Sequence, residues 1–241
     1  MSFWIGIAAA VAGYLAGSIP FAAIIFRLFG NGDRLQPLAL EVPGTSEVLR
    51  SETVSATSVR LQLGTRYGCL TSLLDMAKAA AVTLAFRLAY PHKHYFLVAA
   101  GLAVVGHVWP IFYRFRGGRG QSPAIGGMFV VDWAAPLIAY PIAQLLGFAT
   151  QSRAFVGRFS PMLIAAIWLY FRTGDSAFVL YALGVLAIRL LAMRGEVSQI
   201  MRLQKAGYLS TLQEEAELLG FDRFLRKLKA TCSRIRRKGH Y

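Results

Sequence analysis

Twenty-four consecutive residues, Phe3 to Phe26, carry no charged side chain. As a helix they reach about 36 Å, enough to cross the hydrocarbon core of a bilayer. Tyr95 to Tyr113 is a second uncharged run, of 19 residues. Gly68–Phe86, Ala124–Thr150, Ser160–Phe171 and Ala177–Met193 are also apolar and hold few charges: Asp75 and Lys78 in the first, Asp132 in the second, Arg189 in the last. Only 16% of the chain is charged and 56% is hydrophobic. Soluble domains carry about 25% charged residues. The deficit is concentrated in the runs, so the fold class predicted is all-α: a polytopic integral membrane helical bundle.

The net charge of +14 is compatible in principle with nucleic acid. Its distribution points elsewhere. The basic residues sit between apolar runs and in the tail, where membrane topology requires them. No nucleic-acid partner is expected; the expected partner of the tail is anionic lipid. Residues 1–26 hold no Lys or Arg, whereas residues 27–66 hold Arg27, Arg34, Arg50, Arg60 and Arg66. The first span is therefore predicted to be retained and to run from outside to inside. Pairing the runs then places the Gly106–Gly120 segment in the cytoplasm. Asp132-Trp133, Pro136 and Pro141 are expected to divide Ala124–Thr150 into two short segments. That gives about seven transmembrane segments, with the N-terminus outside and the C-terminus cytoplasmic.

Two domains follow: a membrane-embedded part, 1–205, and a basic amphipathic helical tail, 206–241. In the tail, Leu209, Leu212, Ala216 and Leu219, then Phe224, Leu225 and Leu228, recur at helical spacing on either side of Gly220. From Asp222 to Lys238 there are eight Lys or Arg and one acid. The polar connection from Asn31 to Leu63 is long, and Ser51–Leu63 reads as a surface helix with Ser51 as its N-cap. Cys69 and Cys232 form neither a disulfide framework nor a metal site, and His92 and His94 have no further ligands near them in sequence. No metal or cofactor is expected.

Chemistry concentrates in Gly106-His107-Val108-Trp109-Pro110-Ile111-Phe112-Tyr113-Arg114-Phe115-Arg116-Gly117-Gly118-Arg119-Gly120. Glycines let backbone N–H groups approach an anion, and arginines supply planar charged forks. The segment reads as an anion site at the membrane edge, or as a plain positive-inside loop. Ser18, in Gly17-Ser18-Ile19-Pro20, offers its hydroxyl to a substrate or to the backbone around the proline. Asp75 and Lys78, three apart on one helix face, read as an internal ion pair. His107 is placed as a general base or donor, or as a backbone-bonded core histidine. A transporter would need charges at mid-depth in several spans, and only Asp75, Lys78, Asp132 and Arg189 are available.

Gly17-Ser18-Ile19-Pro20-Phe21, Ser55-Ala56-Thr57-Ser58-Val59-Arg60, Leu74-Asp75-Met76-Ala77-Lys78 and the Gly106–Gly120 segment occur in an order that resembles the bacterial acyl-phosphate:glycerol-3-phosphate acyltransferases. The family pattern G-H-x-x-P-x-F-x-x-F-x-G-G-K-G is met at every fixed position except the lysine, which is Arg119. The resemblance covers roughly residues 10–205. It implies a seven-span enzyme of the bacterial inner membrane. The implied reaction transfers a fatty acyl group from acyl phosphate to glycerol 3-phosphate, giving lysophosphatidic acid for phospholipid biosynthesis. Ser18, His107 and Arg119 are the implied catalytic residues. Arg114, Arg116, Gly117, Gly118 and Gly120 would hold one phosphate and Arg60 the other. The chain departs from the family in three places, one of them a serine motif after the fifth span in which Ser160 survives and Gly157 stands for the earlier serine. The first loop, G-N-x-G-A-T-N in the family, reads Glu52-Thr53-Val54-Ser55-Ala56-Thr57-Ser58. In H-x-x-N-I-x-R-L, Glu196 and Gln199 stand where the family has histidine and asparagine. These losses motivate a second reading: a catalytically impaired relative that binds lipid phosphate or regulates a true acyltransferase.

Overall fold

The computed structural model describes residues 2–30, 35, 38–41, 48–51, 53–150 and 156–205. The tail 206–241 and Glu52 lie outside the described residues, as do the side chains of Glu196 and Gln199. Among the described residues the helices are α1 (Phe3–Gly17), α2 (Phe21–Phe29), α3 (Ala56–Leu63), α4 (Thr65–Ala89), α5 (Tyr95–Val108), α6 (Gln121–Val131), α7 (Ala134–Ala149), α8 (Val156–Thr173) and α9 (Ser176–Lys205). A short antiparallel hairpin, β1 (Leu38–Glu41) and β2 (Val48–Ser51), sits in the connection after α2, with Leu38 opposite Ser51 and Glu41 opposite Val48.

The first apolar run is two helices rather than the single helix expected. Pro20 has no N–H, and its ring disfavours helical geometry in the residue before it. Helix α1 therefore stops at Gly17 and α2 restarts at Phe21. The opposite expectation, a division of 124–150, holds. Asp132 Oδ1 accepts hydrogen bonds from the N–H groups of Ala134 (2.9 Å) and Ala135 (3.0 Å), satisfying two orphan donors at the start of α7. Arg172, at the end of α8, pairs with the other carboxylate oxygen. The surface helix of the first connection is shorter than expected. It is capped by Ser55, whose Oγ accepts from Ser58 N–H, while Ser51 belongs to β2. Ser51 pairs with Leu38 across the hairpin, which leaves it no capping role.

Among the described residues, four segments are long and apolar enough to cross a membrane: Phe3–Phe29, Thr65–Ala89, Tyr95–Tyr113 and Ser176–Gly195. Helix α6 has 11 residues, about 16 Å, roughly half the hydrocarbon thickness. Large apolar side chains such as Phe171 and Leu180 point outward, as on a lipid-facing surface. The chain is a multi-pass helical membrane protein.

Small residues set the packing. A Cβ on Gly13 would lie 2.4 Å from the Ala99 carbonyl oxygen, and one on Gly17 would lie 2.1 Å from that of Ala103. Both pairs advance by four residues in the same direction, so α1 and α5 run parallel with their backbones in contact. On the α5 side, a Cβ on Gly106 would lie 2.1 Å from the Tyr14 carbonyl oxygen. In lipid, where apolar surface supplies little driving force between helices, such close approach is a main source of association. Gly126 meets Met76 in the same way, and Ser122 Oγ bonds Ser72 Oγ at 3.3 Å, which sets α6 parallel to α4. The larger core is built by α5 to α9 around Ala100, Val104, Met128, Met162, Leu169 and Val185.

Gly17→Val is expected to destabilise the detergent-solubilised protein by about 1–3 kcal/mol, a fall in Tm of roughly 2–10 °C. Gly101→Ala is the control, because a Cβ there meets nothing within 4 Å. Equal melting temperatures for the two variants would remove the α1–α5 contact as a determinant of stability.

Candidate active site

Helix α5 ends at Val108 because Pro110 cannot continue it. A single 3-10 turn, Ile111–Tyr113, follows. Arg114 and Phe115 then both adopt positive φ, 52° and 57°. That conformation costs an ordinary side chain about 1 kcal/mol or more. It reverses the chain and lays Gly117 and Gly118 against the end of α5. Gly118 N–H donates to the His107 carbonyl at 3.1 Å. A Cβ on Gly117 would lie 2.0 Å from that same oxygen, and one on Gly118 would lie 2.3 Å from His107 Nε2. Only glycine permits this fold-back, because without a side chain the Gly118 backbone can pack directly on the imidazole edge. Gly120, at φ 73°, then starts α6.

The other side of the imidazole is held by α4. His107 Nδ1 lies 3.3 Å from Asp75 Oδ1 and 3.2 Å from Lys78 Nζ. Lys78 and Asp75 form a 2.7 Å ion pair with almost no exposed side-chain surface. This confirms the internal pair read from their spacing and adds a partner that spacing did not disclose. Lys78 Nζ also donates to the Ile19 carbonyl at 2.7 Å, in the break between α1 and α2. A charge buried this deeply is tolerated only with such compensation. The first connection closes the site: Val54 N–H donates to the Gly117 carbonyl at 3.1 Å. The result is a cleft lined by Pro20, Val54, Asp75, His107, Arg116 and Gly117, among others.

The expected site residues separate into two groups. His107, Arg116 and Gly117 line the cleft, with Gly118 packed over His107. Ser18, Arg60, Arg114 and Arg119 do not line it. Ser18 is fully buried, and its hydroxyl donates to the Tyr14 carbonyl at 2.7 Å, one turn back in α1. Arg60 lies on α3 against Gly68 of α4. Arg114 is exposed and Arg119 half-buried on the turn itself. The backbone at Glu196 and Gln199 lies in α9, the latter two residues before Met201. Asp75 and Lys78 were legible as a pair but not as the support of His107, because that contact depends on the register between α4 and α5.

The sequence profile of the family described as glycerol-3-phosphate acyltransferase matches residues 7–204. A glycerol-3-phosphate acyltransferase of Rhodospirillum rubrum is 34% identical over 130 residues, 54% of this chain, and the chain spans 58% of that relative's length. The namesake of Brucella melitensis biotype 2 is 28% identical over 199 residues, covering 81% of this chain and 89% of its own. In three dimensions the chain is similar to the crystal structure of PlsY, an integral membrane glycerol 3-phosphate acyltransferase, in its glycerol 3-phosphate form. The TM-score is 0.66 at 21% identity, over 82% of this chain and 92% of that one. The profile match runs from α1 to the end of α9 and includes the whole glycine turn and its imidazole support, and the chain belongs to the glycerol-3-phosphate acyltransferase family.

Proposed function

We propose that this protein transfers an acyl group from an acyl phosphate to glycerol 3-phosphate in the bacterial inner membrane, releasing lysophosphatidic acid. The observation that carries the reading is the glycine turn folded onto His107, with Arg116 on the same cleft. Both substrates are phosphorylated, and a glycine turn flanked by guanidinium forks suits them. The family's glycerol 3-phosphate acyltransferases, including the crystallised PlsY in its glycerol 3-phosphate form, support the acceptor. The acyl phosphate donor rests on the motif resemblance and on the chemistry of the cleft.

In this reaction the glycerol hydroxyl oxygen attacks the acyl carbonyl carbon. The bond from that carbon to the phosphate oxygen breaks, phosphate leaves with the electron pair, and the hydroxyl proton passes to it. An acyl phosphate is already activated, so positioning and charge stabilisation suffice without a covalent nucleophile. Arg119 and the N–H groups of Gly117 and Gly120 hold phosphate, with Arg114 and Arg116 gathering it at the exposed rim, while the Gly118 N–H stays on the His107 carbonyl. Lys78 donates to the Ile19 carbonyl, pairs with Asp75 Oδ1 and lies 3.2 Å from His107 Nδ1, which is itself 3.3 Å from Asp75 Oδ1. His107 lines the cleft beside these charges, and an imidazole N–H there can donate to developing negative charge. Ser18 acts through the wall of the cleft, by fixing the end of α1 beside Ile19 and Pro20. Positive-inside topology puts the turn and the C-terminus in the cytoplasm and the N-terminus outside.

The direct test is acyl transfer by the purified protein in lipid, with palmitoyl phosphate and labelled glycerol 3-phosphate. Product is expected. Binding of the substrates without product, by folded protein, would assign the non-catalytic relative instead. Arg119→Ala is expected to raise KM for the phosphorylated substrates at least tenfold, and unchanged kinetics would remove Arg119 from the site. His107→Ala is expected to lower kcat by about 100-fold with a smaller change in KM, as for loss of one preorganised donor. A change confined to KM would make His107 a binding group only.

A further inference from the structure

Arg189, in the middle of α9, is fully buried. Among the described residues its only hydrogen bond is a long one, Nη2 to Gln121 Oε1 at 3.4 Å. Nε and Nη1 have no partner among those residues. Among the described residues no Asp or Glu pairs with it. Its guanidinium lies 5.8 Å from the centre of the Phe159 ring, which offers a π-face but no counter-charge. The nearby Tyr140 hydroxyl, close enough to interact electrostatically with Arg189, is also buried without a partner. A guanidinium stays charged, and burying one without an anion costs several kcal/mol. The described residues leave that cost uncompensated.

The place where it is buried is the start of α6. Gln121, its one partner, is the first residue of that helix. Arg189 Cγ lies 3.5 Å from where a Cβ on Gly120 would stand. The opening N–H groups of α6 have no acceptor within the helix, and the helix dipole adds partial positive charge there. Two independent donors of anion affinity therefore meet on the inner face of the glycine turn, while His107 occupies the other end of it at Gly118.

We propose that Arg189 and the N-terminus of α6 form a second phosphoryl subsite, which takes the phosphate of the acyl donor. This rests on the acyltransferase reading above. The walls select the donor over the acceptor. Arg189 is enclosed by α6, α8 and α9 among apolar side chains, where a phosphate tethered to an acyl chain can lie. Glycerol 3-phosphate is small and strongly hydrated, and the exposed Arg114 and Arg116 suit it better. Gln121 Oε1 stands where a phosphoryl oxygen would sit. Entry of the donor then exchanges a weak neutral contact for a bidentate charged one.

The test uses the full-length purified protein in detergent, with a non-hydrolysable long-chain acyl phosphonate and glycerol 3-phosphate as separate ligands. Thermal stabilisation against ligand concentration reads the affinity of each. In the Arg189→Met variant the ligand-free Tm is expected to stay level or rise, because an unpaired buried charge has been replaced by an apolar side chain. Its affinity for the acyl phosphonate is expected to fall about 10- to 100-fold, with that for glycerol 3-phosphate unchanged. Arg189→Lys, which keeps the charge and loses the fork, is expected to fall between the two. An unchanged phosphonate affinity in Arg189→Met overturns the proposal. So does a variant that melts well below the parent or fails to fold, since that is the behaviour of a structural arginine. A loss confined to glycerol 3-phosphate overturns the assignment to the donor. If the parent protein responds to glycerol 3-phosphate but not to the phosphonate, the donor subsite fails while acceptor binding stands. If it responds to neither, the acyltransferase reading fails with it.

Discussion

The ammonium of Lys78 is the contact on which the site depends. It lies buried in α4 and meets three different elements: it pairs with Asp75 in its own helix, donates to the Ile19 carbonyl in the break between α1 and α2, and lies 3.2 Å from His107 Nδ1 near the end of α5. In water each of these would be worth little. In a buried setting, removal of one member leaves an uncompensated charge or dipole, which is strongly unfavourable. The proline break and the ion pair are therefore coupled. Pro20 interrupts the helix beside a backbone carbonyl that needs a donor, and Lys78 requires an acceptor at that depth. Each supplies what the other lacks, and the imidazole is held as a consequence.

Close backbone approach sets the frame around this contact. Gly13, Gly17 and Gly106 bring α1 and α5 together, and Gly126 brings α6 to α4. The same property then serves the cleft, since Gly117 and Gly118 lie on the carbonyl and ring of His107. Packing glycines and site glycines are thus consecutive parts of one design. The α1–α5 contact fixes the end of α5, and the end of α5 is the surface onto which the turn folds. The left-handed backbone at Arg114 and Phe115 is strain that this packing must offset.

Much of the fold was legible because bilayer insertion writes itself into composition. Runs of apolar residues, the proline and aspartate between α6 and α7, and the asymmetry of basic residues each have a local cause. The break at Pro20 was less legible, because prolines are tolerated within membrane helices when other groups satisfy the backbone. The N-cap of α3 was displaced from Ser51 to Ser55, since hairpin pairing claims Ser51 and no local signal announces that pairing. Among site residues, the glycine turn and His107 were visible as a motif. That Ser18 turns its hydroxyl back to Tyr14, and that Arg60 and Arg119 stand outside the lined cleft, was not.

The sequence by itself determined that the chain is a helical membrane protein, where its helices break around Asp132, which residues form the Asp75–Lys78 pair, and which family's motif it carries. Those features depend on residues within a few positions of one another, whose interactions are set by helical periodicity or by backbone chemistry. Only the tertiary structure decided that Asp75 and Lys78 support His107, that Val54 closes onto Gly117, and that Arg189 reaches the start of α6. Such contacts join segments about thirty to seventy residues apart. Their existence depends on the register and separation of helices, which small residues set by allowing backbones to touch, and no local pattern encodes which pairs will meet.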